Sequence, residues 1–170
     1  MSTDTGAALD RDIARIAEQE ARLRWPRFDL DDAWRLGSAL RDAARARGLA
    51  LTIEVRLAQH TVFFHAMPGT TPANADWARR KRNVVELVHR SSYGVGRSDE
   101  RDGRTLHQRM ALDPRDHATA GGSFPITVDG VGVVGTATVS GAPQREDHEL
   151  LVATIATLLG LPAAELALDR

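Results

Sequence analysis

The 170-residue chain carries 22 basic and 23 acidic residues, a formal net charge of −1, and no cysteine. At ~100–200 residues per domain this is one domain, and 42% hydrophobic with 26% charged residues is a globular rather than a disordered composition. Near-neutrality argues against nucleic acid or a polybasic membrane surface as partner, and the missing cysteines exclude a disulfide scaffold, thiolate catalysis, iron–sulfur clusters and cysteine-ligated zinc.

In chain order, Leu9, Ile13, Ile16, Glu20 and Leu23 recur at helical spacing and predict an amphipathic helix over about Ala8–Arg24, closed by Trp25-Pro26. Asp29 and Asp32 form an N-cap signal for a second helix, whose stripe Ala33, Leu36, Leu40, Ala43 and Ala44 ends at Gly48. The period then changes to two over Leu49–Leu57, and Thr61–Met67 follows as an apolar, β-branched and aromatic run, so the two predict an antiparallel hairpin. A third helix is expected over about Asn74–Ser91, and a polar stretch to about Asp116 leaves room for one short helix. Phe124–Val128, the Asp129-Gly130 turn and Val131–Val139 predict a second hairpin. A last helix runs from Pro143 to about Leu159, with Gly160 and Pro162 as its stop. This order is an α+β plan, one antiparallel sheet covered by helices.

No apolar run approaches the ~20 residues of a membrane span. Acids at Asp4 and Asp10 stand where a signal peptide would need a basic and then apolar pattern, so a cytoplasmic protein with no membrane role is expected.

The basic residues are 21 arginines and one lysine, Lys81. Either the exception is chance, or position 81 needs a compact ammonium that a guanidinium cannot replace. Lys81 falls on a helical face with Trp77, Val84, Val88 and Ser91, where it would snorkel past the core edge or present its charge to an anion or a carboxylate. Glu54 and Asp147 are the candidate partners. Arg79-Arg80-Lys81-Arg82 is spread around the helix axis and makes no nucleic-acid patch.

Gly121-Gly122 opens a strand, either as a tight turn or as a cradle that lets another group approach its amides. Ser140-Gly141 lies at the other end of the same hairpin. His148 precedes Leu151, Val152 and Ile155 on a buried stripe, which makes it a satisfied core histidine, a ligand or a general base. The six histidines show no His-Glu-x-x-His or other tight metal spacing, so no metal site is expected. No Gly-x-Ser-x-Gly elbow supports a hydrolase triad, whereas noncovalent haem needs only one imidazole and an apolar slot.

Gly121-Gly122-Ser123-Phe124-Pro125-Ile126, the run Gly130–Gly141 and Gln144-Arg145-Glu146-Asp147-His148-Glu149-Leu150 resemble the GlcG/HbpS-like superfamily, often called the haem-degrading domain. Trp77, Arg80-Lys81-Arg82-Asn83-Val84-Val85 and Ser91-Ser92-Tyr93 resemble its cytosolic UPF branch, and the likeness spans about residues 18–159. It implies a profilin-like fold of about five antiparallel strands between helices, with the fifth strand expected in the polar stretch or near Tyr93, and assembly into at least a dimer. A small-ligand site is expected between the third helix, the Gly121-Gly122 turn and the last helix, with Trp77, Lys81, Asn83, Gly121, Gly122, Ser140, Gly141 and His148 as its candidate residues, for haem or a small anion; slow haem degradation is what the resemblance further implies. The alternative is a noncatalytic oligomeric interaction module. One departure stands out: relatives read Gly-Gly-x-Pro, whereas here Ser123-Phe124 separates Gly122 from Pro125.

Overall fold

The computed structural model describes residues 3–169. Its elements run α1 (Thr3–Arg22), β1 (Arg24–Trp25), α2 (Leu30–Ala46), β2 (Thr52–Leu57), β3 (His60–Ala66), α3 (Pro72–Val88), α4 (Ser92–Asp102), α5 (Leu106–Met110), β4 (Ser123–Val128), β5 (Gly132–Ser140) and α6 (Gln144–Leu158), followed by a 3-10 turn at Ala163–Leu166. The expected α+β architecture is present, and local chemistry sets where its helices begin. Asp29 accepts from the Asp32 amide at 2.9 Å while Asp32 accepts from the Asp29 amide at 3.1 Å, a reciprocal cap that supplies two otherwise unpaired donors at the start of α2. Pro72 stands in the first turn of α3, and Ser91 caps α4 through the Gly94 amide.

The five strands lie in the order β1-β4-β5-β2-β3. Both expected hairpins are present and β2 joins β5 antiparallel. The fifth strand is β1, two residues long and parallel to β4, with Arg24 opposite Thr127 and Trp25 opposite Val128. This corrects its expected place, because the stretch after Tyr93 forms α4 and α5 instead. Trp25 is buried, edge-on to Phe28 at 4.9 Å.

Side-chain alternation gives the sheet two unlike faces. Ile53, Val55, Phe124, Ile126, Ala137 and Val139 point to one side, where Leu36 and Leu40 of α2 and Leu151 and Ile155 of α6 complete the main core. Thr52, Glu54, Arg56, Ser123, Thr136, Thr138 and Ser140 point to the other, and α3 lies over them. That second face is polar, and Thr52, Glu54, Ser123, Thr136, Thr138 and Ser140 on it are buried. Pairing satisfies part of this face: Ser123 and Thr138 share a 2.7 Å hydroxyl bond and Arg82 of α3 donates to both Glu54 oxygens at 2.9 and 2.8 Å, while the Thr52 and Thr136 hydroxyls are buried without a partner.

On α1 the buried stripe includes Leu9, Asp12, Ile16 and Gln19 and continues at Leu23 just past its end, so Asp12 and Gln19 occupy the places expected for Ile13 and Glu20. Each has a reason to be inside. Asp12 accepts from Arg145 at 2.8 Å, Gln19 bonds α6 and the C-terminal turn, and Glu20 accepts from the Ser91 amide and hydroxyl at 2.8 Å each, tying α1 to α4.

Candidate functional site

A cleft of about 250 Å³ opens where α3 crosses the end of β5 and the start of α6, lined by Asn74, Trp77, Lys81, Ala120, Ser140, Gly141, Ala142 and Gln144. The polar sheet face explains its position: α3 must deliver hydrogen-bonding side chains toward β5, and Lys81 is the one that reaches the strand's end. Its Nζ donates to Asp147 Oδ2 at 2.9 Å and to the Val139 carbonyl at 3.2 Å, with only 4% of the residue exposed. Asp147 is fully buried, and its other oxygen accepts from the Ala142 amide at 3.1 Å. Burial lowers the Lys81 ammonium from its ordinary value and raises the Asp147 carboxyl from its own, each shift opposed by the other's charge. Of the two expected partners, Glu54 is taken by Arg82 and Asp147 holds Lys81.

The geometry also accounts for lysine in a chain of arginines. A Cβ built on Gly122 would lie 2.7 Å from Lys81 Nζ and 2.5 Å from the Val139 carbonyl, so the ammonium occupies the space that glycine leaves. A compact ammonium suits that space better than a planar, wider guanidinium. Gly122 has φ +123, and a Cβ on Gly121 would fall 2.1 Å from the Gln144 carbonyl. The glycine pair thus lets the start of β4 press against α6 and Lys81.

Trp77 forms the exposed wall of the cleft, with the Arg80 guanidinium 4.3 Å above its ring. Arg79, Arg80 and Asn83 fasten the loop that leads to Ala120: Arg79 pairs with Asp116, Arg80 donates to the Pro114 carbonyl, and Asn83 donates to the Asp116 carbonyl at 2.8 Å. Asn83 is therefore committed outside the cleft.

His148 lies away from it as well, fully buried, its ring 5.0 Å from Tyr93 and 6.0 Å from Phe124. Gln19 Nε2 donates to the Leu166 carbonyl at 2.6 Å, which turns Gln19 Oε1 toward His148, 2.8 Å from Nε2. His148 Nε2 therefore carries the proton, and Nδ1 is buried without a partner. Burial, and then the Arg145 charge, push its pKa down to about 3. The structure brings together Trp77, Lys81, Ser140 and Gly141 around the cleft with Gly121 and Gly122 packed behind, and separates Asn83 and His148 from it. Asn74, Ala120, Ala142 and Gln144 also line the cleft: Gln144 opens a family-like motif, but nothing in the sequence marks any of the four as a ligand contact. Among the described residues no three His, Asp or Glu side chains gather to hold a metal, and no helix is long and apolar enough to cross a membrane.

Residues 28–156, which hold this cleft and the whole of β2 to β5, match the family described as haem degrading protein HbpS-like. The chain belongs to the HbpS-like family. A UPF0303 protein from Azotobacter vinelandii is 53% identical over 162 residues, covering 95% of this chain and 98% of that one. Two solved structures share the HbpS-like fold. Ybr137w superposes with a TM-score of 0.80 at 23% identity, over 87% of each chain, and a complex titled PduOC:Heme superposes with a TM-score of 0.66 at 17% identity, over 76% of this chain and 93% of that one.

Proposed function

We propose that the chain is a small-ligand-binding protein of the HbpS-like family, whose ligand sits in the cleft between α3 and the β5–α6 connection. The observation that carries this reading is the Lys81 ammonium, held by Asp147 and Val139 among the residues lining the cleft. An ammonium among those residues is a donor for an anionic or carbonyl oxygen, and the Trp77 indole offers an apolar wall beside it.

The family name and the PduOC:Heme neighbour make haem the first ligand to consider. His148 does not fit an iron ligand at the cleft: its Nε2 is engaged by Gln19, and its unpartnered Nδ1 belongs to a fully buried ring that is not among the cleft-lining residues. The cleft, at about 250 Å³, is also below the roughly 300–1,000 Å³ of pockets that enclose drug-sized ligands. The reading is therefore of binding at the cleft mouth through Trp77 and Lys81, with no haem-degrading step drawn through His148.

A second reading, a noncatalytic interaction module, is favoured by the intrachain partners that both Lys81 and His148 possess. Either reading involves a homo-oligomer. β3 is an edge strand seven residues long with no Lys, Arg, Asp, Glu or Pro, Phe64 on it is exposed, and exposed Trp34 stacks edge-on against Phe63 at 5.3 Å. Such an edge is normally blunted by charge or proline, or covered by a partner.

Native mass spectrometry of gently purified protein separates the two readings. Binding predicts a mass excess that is kept in His148→Gln and lost in the double variant Lys81→Met with Asp147→Asn, which removes both charges while leaving an acceptor for the Ala142 amide. No excess in the wild type, or an excess unchanged in the double variant, contradicts it.

A further inference from the structure

Lys81 and Asp147 form an amine–acid pair screened from water yet bordering a cavity, and the pairing supports more than anchoring. We propose that Lys81 is a carbonyl-capturing residue, forming an imine with a small aldehyde or ketone in the cleft while Asp147 moves the protons. This rests on the cleft being a ligand site and adds the class of ligand and the bond it makes.

Three observations carry it. Lys81 lines a cleft that also holds Trp77, Ser140 and Gln144, so a carbonyl compound has a place beside the side chain. Asp147 is hydrogen-bonded to the same nitrogen at 2.9 Å, close enough to exchange a proton with it. Burial weights both groups toward their neutral forms, lowering the lysine and raising the acid against the attraction of the ion pair, so a proton passing from Lys81 to Asp147 gives an amine and a carboxylic acid. A desolvated lysine is the form in which this side chain is nucleophilic.

The step balances. The Lys81 lone pair attacks the carbonyl carbon, the carbonyl π electrons pass to oxygen, and a proton moves from nitrogen to oxygen through Asp147. Loss of water then breaks the carbon–oxygen bond, with the Asp147 carboxyl supplying the second proton. Amine, carboxylic acid and carbonyl compound become a protonated imine, a carboxylate and water, and the new cation keeps Asp147 as its counter-ion. Nζ is packed against Gly122, so a carbonyl carbon approaches it from the cleft, where the Trp77 wall favours an apolar or aromatic group.

The chain's composition makes the test clean, because Lys81 is the only lysine and the N-terminal amine is the only other primary amine. Folded protein is incubated with benzaldehyde and sodium cyanoborohydride near neutral pH, and adducts are located by peptide mass mapping. The expected result is reduction onto Lys81 at least about fivefold faster than onto the N-terminal amine, a preference abolished in urea and absent from Lys81→Arg. Asp147→Asn, which keeps the lysine and removes the acid, slows the Lys81 adduct and leaves the N-terminal one unchanged. Labelling of the N-terminus with Lys81 unmodified in the folded protein overturns the proposal. Benzaldehyde quenching of tryptophan fluorescence that is lost in Trp77→Phe, without a Lys81 adduct, overturns the imine while sparing the cleft as a binding site; neither such quenching nor an adduct overturns both.

Discussion

Gln19 and His148 stand 129 positions apart and share a 2.8 Å hydrogen bond in the interior, with the second end of the Gln19 amide fixed by the Leu166 carbonyl. One glutamine thus joins α1, α6 and the C-terminal turn, and sets which nitrogen of the imidazole is protonated. The histidine that motif reading places at the ligand site is a keystone of packing instead.

A pH dependence follows. The folded-state pKa of His148 is about 3 against 6.5 for a free side chain, so the unfolded chain binds a proton between those values that the folded chain refuses. Its contribution to stability is complete above pH 6.5 and is lost as pH falls toward 3, at roughly 1.4 kcal/mol per pH unit. Urea unfolding at pH 7.5 and at pH 5.5 is expected to differ by about 1.4 kcal/mol from this group. His148→Gln is expected to flatten that difference, and an equally steep dependence in the variant would assign it to other groups.

Gly122→Ala is expected to cost more than Gly130→Ala, although both glycines have positive φ. At Gly130 nothing lies within 4 Å of a new Cβ, so the cost is backbone strain alone, about 1 kcal/mol. At Gly122 the new atom meets the Val139 carbonyl and the Lys81 ammonium, which adds a lost buried pairing of roughly 1–3 kcal/mol. Thermal melts of the two variants side by side check the order.

The uncovered β3 edge gives an expectation for assembly. Light scattering at micromolar concentration is expected to report a dimer or larger species, and Phe64→Lys, which places a charge on the exposed edge, to shift it toward monomer. A monomeric wild type contradicts the shared-interface reading.

Elements with a strong local period are legible in this sequence. β2 and β5 alternate because one sheet face meets α2 and α6 while the other meets α3, and the Asp29–Asp32 cap announces α2. β1 is not legible, since two residues cannot display a period and Arg24 and Trp25 become a strand only through Thr127 and Val128. The same limit governs the site. Lys81 stands out as the lone lysine on a helical stripe, and Asp147 as its possible partner, but the separation of His148 from the cleft depends on Gln19 and Tyr93, which come from α1 and α4. Periodicity indicates that a residue is buried; its partner is set by tertiary packing.

The central claim is that a ligand reaches the Lys81 ammonium in the cleft, and the single lysine allows it to be watched directly. Protein labelled with ¹⁵N-lysine carries one side-chain ammonium signal, which is followed while phosphate, acetate and iron-free protoporphyrin IX are added in turn. A saturable shift of that signal with at least one probe, retained in His148→Gln, is the predicted result. A signal unmoved by all three up to millimolar concentration, with the fold intact by circular dichroism, would contradict the claim and leave the Lys81–Asp147 pair a structural tie.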